Sequence, residues 1–256
     1  SNIEELNFKL TNSEEQTKDD VLFLLGWLKA HEIEISEKVG RDGYDLAIIS
    51  CRMIYQDIDG MFGNGCGVRK RDQYMAENII FLMNTLPKDA KIIVWAHNFH
   101  VAVNDKYPTM GYYLHQKYGD KYYPFALTFT HGSFQSRLIS SEDMNVPFGA
   151  LQEFEVGKPL QGFWEHDLMQ IRDGDFYIDL RGTCEASVDV RNWAQGPKQL
   201  FGAGGGFTPL SENTDTGDYF EKYSLYDCFD GIIHIEKTTR SRPTKTGMRK
   251  GGDASK

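Results

Sequence analysis

Residues 91–100 read KIIVWAHNFH, and this stretch decides the class of fold. The β-branched run Ile92-Ile93-Val94, bounded by polar residues before it and by Ala96-His97-Asn98 after it, predicts a short buried strand. Pro87 breaks the pattern just upstream. Before that break, 68–86 places Met75, Ile79, Leu82 and Leu86 at steps of four, three and four, which predicts a helix. The glycines of MFGNGCG, 61–67, predict a loop ahead of it. Further upstream, Leu46, Ile49 and Met53 predict a helix over 44–59, and the apolar stretch 21–30 behind Asp19-Asp20 predicts another. Downstream, 109–118 predicts a short helix stopped by Gly119, and 123–130 and 133–139 predict two strands joined into a hairpin by His131-Gly132. Residues 175–180 and 231–236 predict further strands, the second of them, GIIHIE, returning to the core. The expected class is α/β, with a mostly parallel central sheet flanked by helices and an added antiparallel hairpin. Residues 1–236 are expected to form a single domain, and 237–256 a basic, polar, disordered tail.

Composition bounds what such a chain can be. Its 256 residues are 40% hydrophobic and 25% charged, ordinary globular values that exclude a disordered or collagen-like chain. No apolar run approaches the roughly 20 residues that would span a bilayer. The net charge is −9, the tail alone carries +6, and the remaining −15 opposes the phosphate attraction on which nucleic-acid binding depends. Cys51, Cys66, Cys184 and Cys228 are too widely spaced for a CxxC pair and are expected to be free thiols. The chain starts at Ser1 without an initiator methionine, and an upstream segment is expected to be missing.

Several catalytic signatures fail on inspection. There is no GxSxG elbow, no GxxxxGK[ST] loop and no full GxGxxG, and His31-Glu32 is followed by Ile35 where a zinc-protease helix needs its second histidine. The glycine-rich stretches 63–67 and 202–206 are read as turns rather than anion nests. No cofactor is expected. What remains is His97-Asn98-Phe99-His100, placed directly after the predicted strand, where ligands bind in open α/β sheets. Imidazole suits proton transfer near neutral pH, and two of them three residues apart can divide holding an oxygen from moving its proton. The plainer alternative is one histidine satisfying a buried carbonyl and the other facing solvent. HxxH also offers two zinc ligands, with His115, His131 and His234 as third candidates by residue type only. Arg71-Asp72 on the preceding helix is the second constellation. Its guanidinium could clamp a carboxylate or polarise an ester oxygen, with Asp72 holding the arginine or orienting a histidine.

The ordered fragments RDxxMAEN at 71–78, KIIVWAHNxH at 91–100, MGYYL at 110–114, GDKYY at 119–123, HGSF at 131–134 and FDGIIHIE at 229–236, followed by Arg240-Ser241-Arg242-Pro243, together resemble the erythromycin esterase family. Its members are also labelled succinoglycan biosynthesis proteins. The resemblance implies hydrolysis of an ester or lactone by activated water on an α/β scaffold, with a small-molecule substrate. By that resemblance His97 and His100 match the paired active-site histidines, Arg71 and Asp72 match the family's RD helix, and Asn98 matches as a hydrogen-bonding support. The family's general-base histidine and supporting glutamate come from an upstream GExxH segment, and no Gly-Glu pair occurs in this sequence. The chain is therefore expected to be the C-terminal portion of a longer enzyme. The competing expectations are a noncatalytic family member that binds a carbohydrate-related or amphipathic ligand, and a metal-dependent hydrolase using the histidine pair.

Overall fold

The computed structural model describes residues 14–62, 67–138, 151–207, 209 and 222–242. The predicted loop core 63–66, with Cys66, the stretch 139–150 and the tail beyond Arg242 lie outside the described residues. In chain order the helices are α1 (Glu14–Ala30), α2 (Glu32–Phe62), α3 (Gly67–Thr85), α4 (Asn98–Val101), α5 (Met110–Tyr118), α6 (Trp164–Leu168), α7 (Val188–Gln195) and α8 (Leu225–Cys228). The strands are β1 (Phe125–Leu138), β2 (Leu151–Val156), β3 (Phe176–Asp179), β4 (Lys198–Gln199), β5 (Gly206–Phe207), β6 (Lys222–Tyr223) and β7 (Gly231–Thr238). They pack as two compact units, a helical one built from 1–95 with 105–119 and a sheet-bearing one built from 96–104 with 120–256.

In the helical unit, α1 and α2 close over Leu28, Tyr44, Ile48 and Cys51, with Val21, Leu25 and Phe81 packed around them. The helix predicted over 44–59 is thus real but turned: Leu46 and Met53, from its apolar stripe, are exposed, and Tyr44, Ile48 and Cys51 face inward. The same holds for α3, where Leu82, and Leu86 just past its end, are exposed and Asp72 and Ala76 are buried. α2 bends at Gly40, whose φ of 79° favours glycine. Polar pairs knit the helices: Gln56 and Asn78 exchange amide hydrogen bonds of 3.1 and 2.8 Å. The Asp59 carboxylate accepts from Lys18, Lys70 and the Tyr74 hydroxyl, and these donors hold it well below the usual carboxylate range. Thr109 caps α5, accepting from the Tyr112 N–H at 3.2 Å. Gly119 ends that helix at φ 54°, as its position predicts.

The run Lys91–Trp95 corrects the sequence expectation. It alternates in exposure as an extended segment does, but it is not a strand, and Ile93 and Trp95 are 93% and 84% exposed. A strand needs a neighbour to complete its ladder, and among the described residues none pairs with it.

The sheet runs in the order β2-β1-β7-β3, with β5 also on β1. β1 is parallel to β7 and β5 and antiparallel to β2, while β3 is antiparallel to β7; β4 and β6 form a separate antiparallel pair. The α/β class with a central sheet and helices about it is therefore as expected. The expected hairpin is not: 125–138 is one continuous strand, and the antiparallel partner added to it is β2. His131-Gly132 misled because the glycine serves a close approach rather than a turn. Gly132 has φ 122°, and a Cβ there would stand 2.1 Å from the Thr238 carbonyl oxygen on β7. β7 continues past the expected boundary to Thr238, and beyond it the Arg240 N–H donates to Ser133 Oγ at 3.1 Å while its guanidinium pairs with Glu153 at 2.9 Å. Phe129, Phe134, Phe154, Phe201 and Phe207 form an aromatic cluster with ring centroids 4.9–6.4 Å apart. Trp164 is buried, donates through Nε1 to the Tyr223 carbonyl at 2.8 Å and meets Trp193 edge-on.

Candidate active site

The segment 96–104 belongs to the sheet unit, and its own side chains tie it there. Asn98 donates through Nδ2 to the Leu127 carbonyl at 2.8 Å and accepts the Leu127 N–H on Oδ1 at 2.9 Å. One side-chain amide thus imitates a strand neighbour of β1. Both polar groups of Leu127 therefore face Asn98 and not β7, on the side that β2 covers further along, from Gly132 to Arg137. Val103 N–H donates to Cys228 O at 2.9 Å, and Tyr122 OH donates to Val101 O at 2.7 Å. The chain is thus held between the two histidines and just after the second.

His97 is the N-cap of α4, with extended backbone at φ −61° and ψ 148°, and its Nδ1 accepts the Phe99 N–H at 3.2 Å. A ring nitrogen that accepts carries no proton, so the neutral ring holds its proton on Nε2. His97 is exposed along part of its ring and crowded along the rest. The crowding desolvates it, and with His100 nearby the imidazole is held below its ordinary range, which favours the neutral form. His100, half-buried, meets Phe99 edge-on at 5.3 Å.

The Cε1–Nε2 edge of His97 lies against Gly202, where an added Cβ would stand 3.3 Å from both atoms. One residue back, the Phe201 N–H donates to the carboxylate of Glu165, at 3.1 Å to Oε1 and 3.3 Å to Oε2. Glu165 stands in the first turn of α6 and is 1% exposed. Burial pushes its carboxyl up to about 7, offset only in part by the bonds from its own and the Phe201 N–H. The glycine loop after Phe201 is fastened to β1, since Ser136 Oγ donates to Gly204 O and Arg137 N–H to Gly205 O.

His97, Asn98 and His100 thus come together on α4, with Gly202 and Glu165 beside them. Arg71 and Asp72 belong to α3 of the helical unit, where Arg71 is exposed and buried Asp72 accepts the Met110 N–H on Oδ1 at 2.9 Å. His234 is buried on β7 between two hydroxyls, Thr128 Oγ1 at Nδ1 and Thr130 Oγ1 at Nε2, both 2.8 Å away. Among the described residues no three His, Cys, Asp or Glu side chains gather as a metal site would require.

A family model described as erythromycin esterase matches residues 4–238. The chain belongs to the erythromycin esterase family. It is 24% identical over 221 residues to the Escherichia coli erythromycin esterase type II, across 80% of this chain and 48% of that relative. A solved structure described as a succinoglycan biosynthesis protein superposes with a TM-score of 0.68 at 21% identity, covering 88% of this chain and 50% of the other. A Bacillus cereus protein superposes at 0.70 with 20% identity, covering 88% and 52%. These two likenesses establish the fold. The chain spans about half the length of the relatives it matches.

Within this family fold, the sequence reading missed Glu165 and Gly202. Glu165 sits in Phe163-Trp164-Glu165-His166-Asp167-Leu168, where nothing in the spacing marks it from its acidic neighbour Asp167. Asp167 pairs with Lys198 and the Trp193 Nε1–H, whereas Glu165 is enclosed. An acid between residues destined for the interior was the available signal. Gly202 was legible as a turn glycine but not as the neighbour of an imidazole.

Proposed function

We propose that this chain contributes the histidine-bearing part of a hydrolase that opens an ester or lactone with activated water, with His97 acting as a hydrogen-bond donor. The observation that carries this reading is the Phe99 N–H on Nδ1, which leaves Nε2–H to be presented. Water adds to the ester carbon, the carbonyl oxygen takes up the electron pair, and the Nε2–H of His97 stabilises that oxyanion. As the acyl C–O bond breaks, the leaving alkoxide takes a proton from His100, which regains one from the base that took it from water. Removing the proton from water falls to a base that these residues do not supply, the role the family gives to a GExxH segment. Family membership supports the reaction class. The roles implied for Arg71 and Asp72 rest on the resemblance of their segment alone.

The test is hydrolysis of an aryl ester and of a macrolide lactone by the full-length protein and by its His97→Ala and His100→Ala variants. Loss of an oxyanion donor predicts a fall of roughly 10²- to 10³-fold in kcat for His97→Ala with the circular dichroism spectrum retained. Parent rates in both variants overturn the assignment.

A further inference from the structure

We infer that Glu165 is a positioning residue for His97, acting through the Phe201–Gly202 backbone. This rests on the reading of His97 as a donor, because a donor works only when its N–H is aimed.

Glu165 is sealed from solvent, and the hydrogen bonds the structure gives its carboxylate come from backbone, the Phe201 N–H among them. Such a group costs folding free energy to bury, and a methionine or leucine would fill the same space more cheaply. What the carboxylate does that neither could is hold one N–H. The ring of that residue, Phe201, is wedged edge-on against Phe129, Phe134 and Phe207, with centroids 5.5–6.0 Å away. Phe201 is thus fixed at its amide by Glu165 and at its side chain by the aromatic cluster. The next residue, Gly202, forms the wall against the Cε1–Nε2 edge of His97, so close that a methyl group there would have to displace the imidazole by a few tenths of an ångström. On its other edge the imidazole is held by Phe99 through Nδ1. The ring lies between two backbone segments, and Glu165 fixes the one facing the reactive nitrogen.

Three variants of the chain test this by NMR of the His97 imidazole, its signals assigned by their loss in His97→Gln. Glu165→Met keeps length and volume but cannot accept a hydrogen bond, Glu165→Gln keeps an accepting oxygen, and Gly202→Ala presses on the ring directly. We expect Glu165→Met and Gly202→Ala to move the His97 Cε1–H and Nε2 signals, and Glu165→Gln to leave them near the parent. In hydrolysis by the full-length protein, Glu165→Met is expected to lose roughly ten- to a hundredfold in kcat with little change in KM, as for a misplaced catalytic group, and Glu165→Gln to recover most of it. His97 signals unmoved in a folded Glu165→Met overturn the inference. So do signals moved equally by Glu165→Gln, or unmoved by Gly202→Ala. The spectra stand apart from catalysis. Normal hydrolysis by His97→Ala would remove the proposed function while the ring shifts still tested the positioning. Unmoved signals alongside an inactive His97→Ala would remove the inference alone.

Discussion

An imidazole that caps its own helix has committed one nitrogen, and at His97 that commitment settles which atom remains for chemistry. The sequence made His97 and His100 legible because they follow a recognisable β-branched run. It did not disclose the tautomer, which depends on a one-turn helix too short for any periodicity to announce. Glu165 was illegible for a different reason: burial is a property of the assembled chain, and an isolated acid carries no mark of it. Burial does leave a signature in pH dependence. Burial raises the folded-state pKa of Glu165 from the ordinary carboxyl value of about 4.5 to about 7, so the native state prefers the protonated form. Its contribution to stability is fully present below about 4.5 and is lost as pH rises through about 7. Glu165→Gln has no such proton to lose. Between pH 4.5 and 8 the parent should therefore lose up to about 3 kcal/mol relative to the glutamine variant, measured by urea unfolding. A difference constant across that interval would mean the carboxyl ionises as freely folded as unfolded. His234 acts with the opposite sign. Burial lowers its pKa, so its contribution is present above about 6.5 and is lost as pH falls, and it cancels in this comparison because both chains carry it.

Elements were legible in type and less so in orientation. Period identified α3 and the 44–59 part of α2, while an apolar stretch marked α1 and Gly119 marked the end of α5; yet α2 buries Tyr44, Ile48 and Cys51 and leaves Leu46 and Met53 outside. A repeat of three and four reports that one face is apolar, and only the neighbouring helices decide which face is covered. Strands failed where a partner was needed to make them. Lys91–Trp95 has strand composition without a ladder, and β1 runs through a dipeptide that reads as a turn. Gly132→Ala tests the latter directly. Its Cβ would meet the Thr238 carbonyl at 2.1 Å and adopt an unfavourable φ, so β1 and β7 must part locally. The expected cost exceeds about 3 kcal/mol by thermal or urea unfolding, in the range reserved for clashes and strained backbone. Gly157→Ala, with nothing within 4 Å of its Cβ, should stay within about 0.5 kcal/mol. Equal effects at the two glycines would show that the strands adjust freely.

At the scale of the molecule, charge is the most transferable property. With −9 overall, the chain should show no binding to a short DNA duplex in about 0.15 M salt by fluorescence anisotropy; saturable binding would mean the basic residues after Glu236 act apart from the acidic body. Among the described residues no helix is long and apolar enough to cross a membrane. The family was legible because its fragments keep their order over most of the chain, while substrate choice was not, since it depends on surfaces that a single sequence leaves unspecified. Trp95 projects from the extended run into water, whereas Trp164 is wholly enclosed. Iodide should reach the first indole and not the second, so the red-shifted, quenchable part of the emission is expected from Trp95 together with the exposed Trp27. Whatever lies down along 91–95 shields that light, and the chain carries its own lamp for seeing it happen.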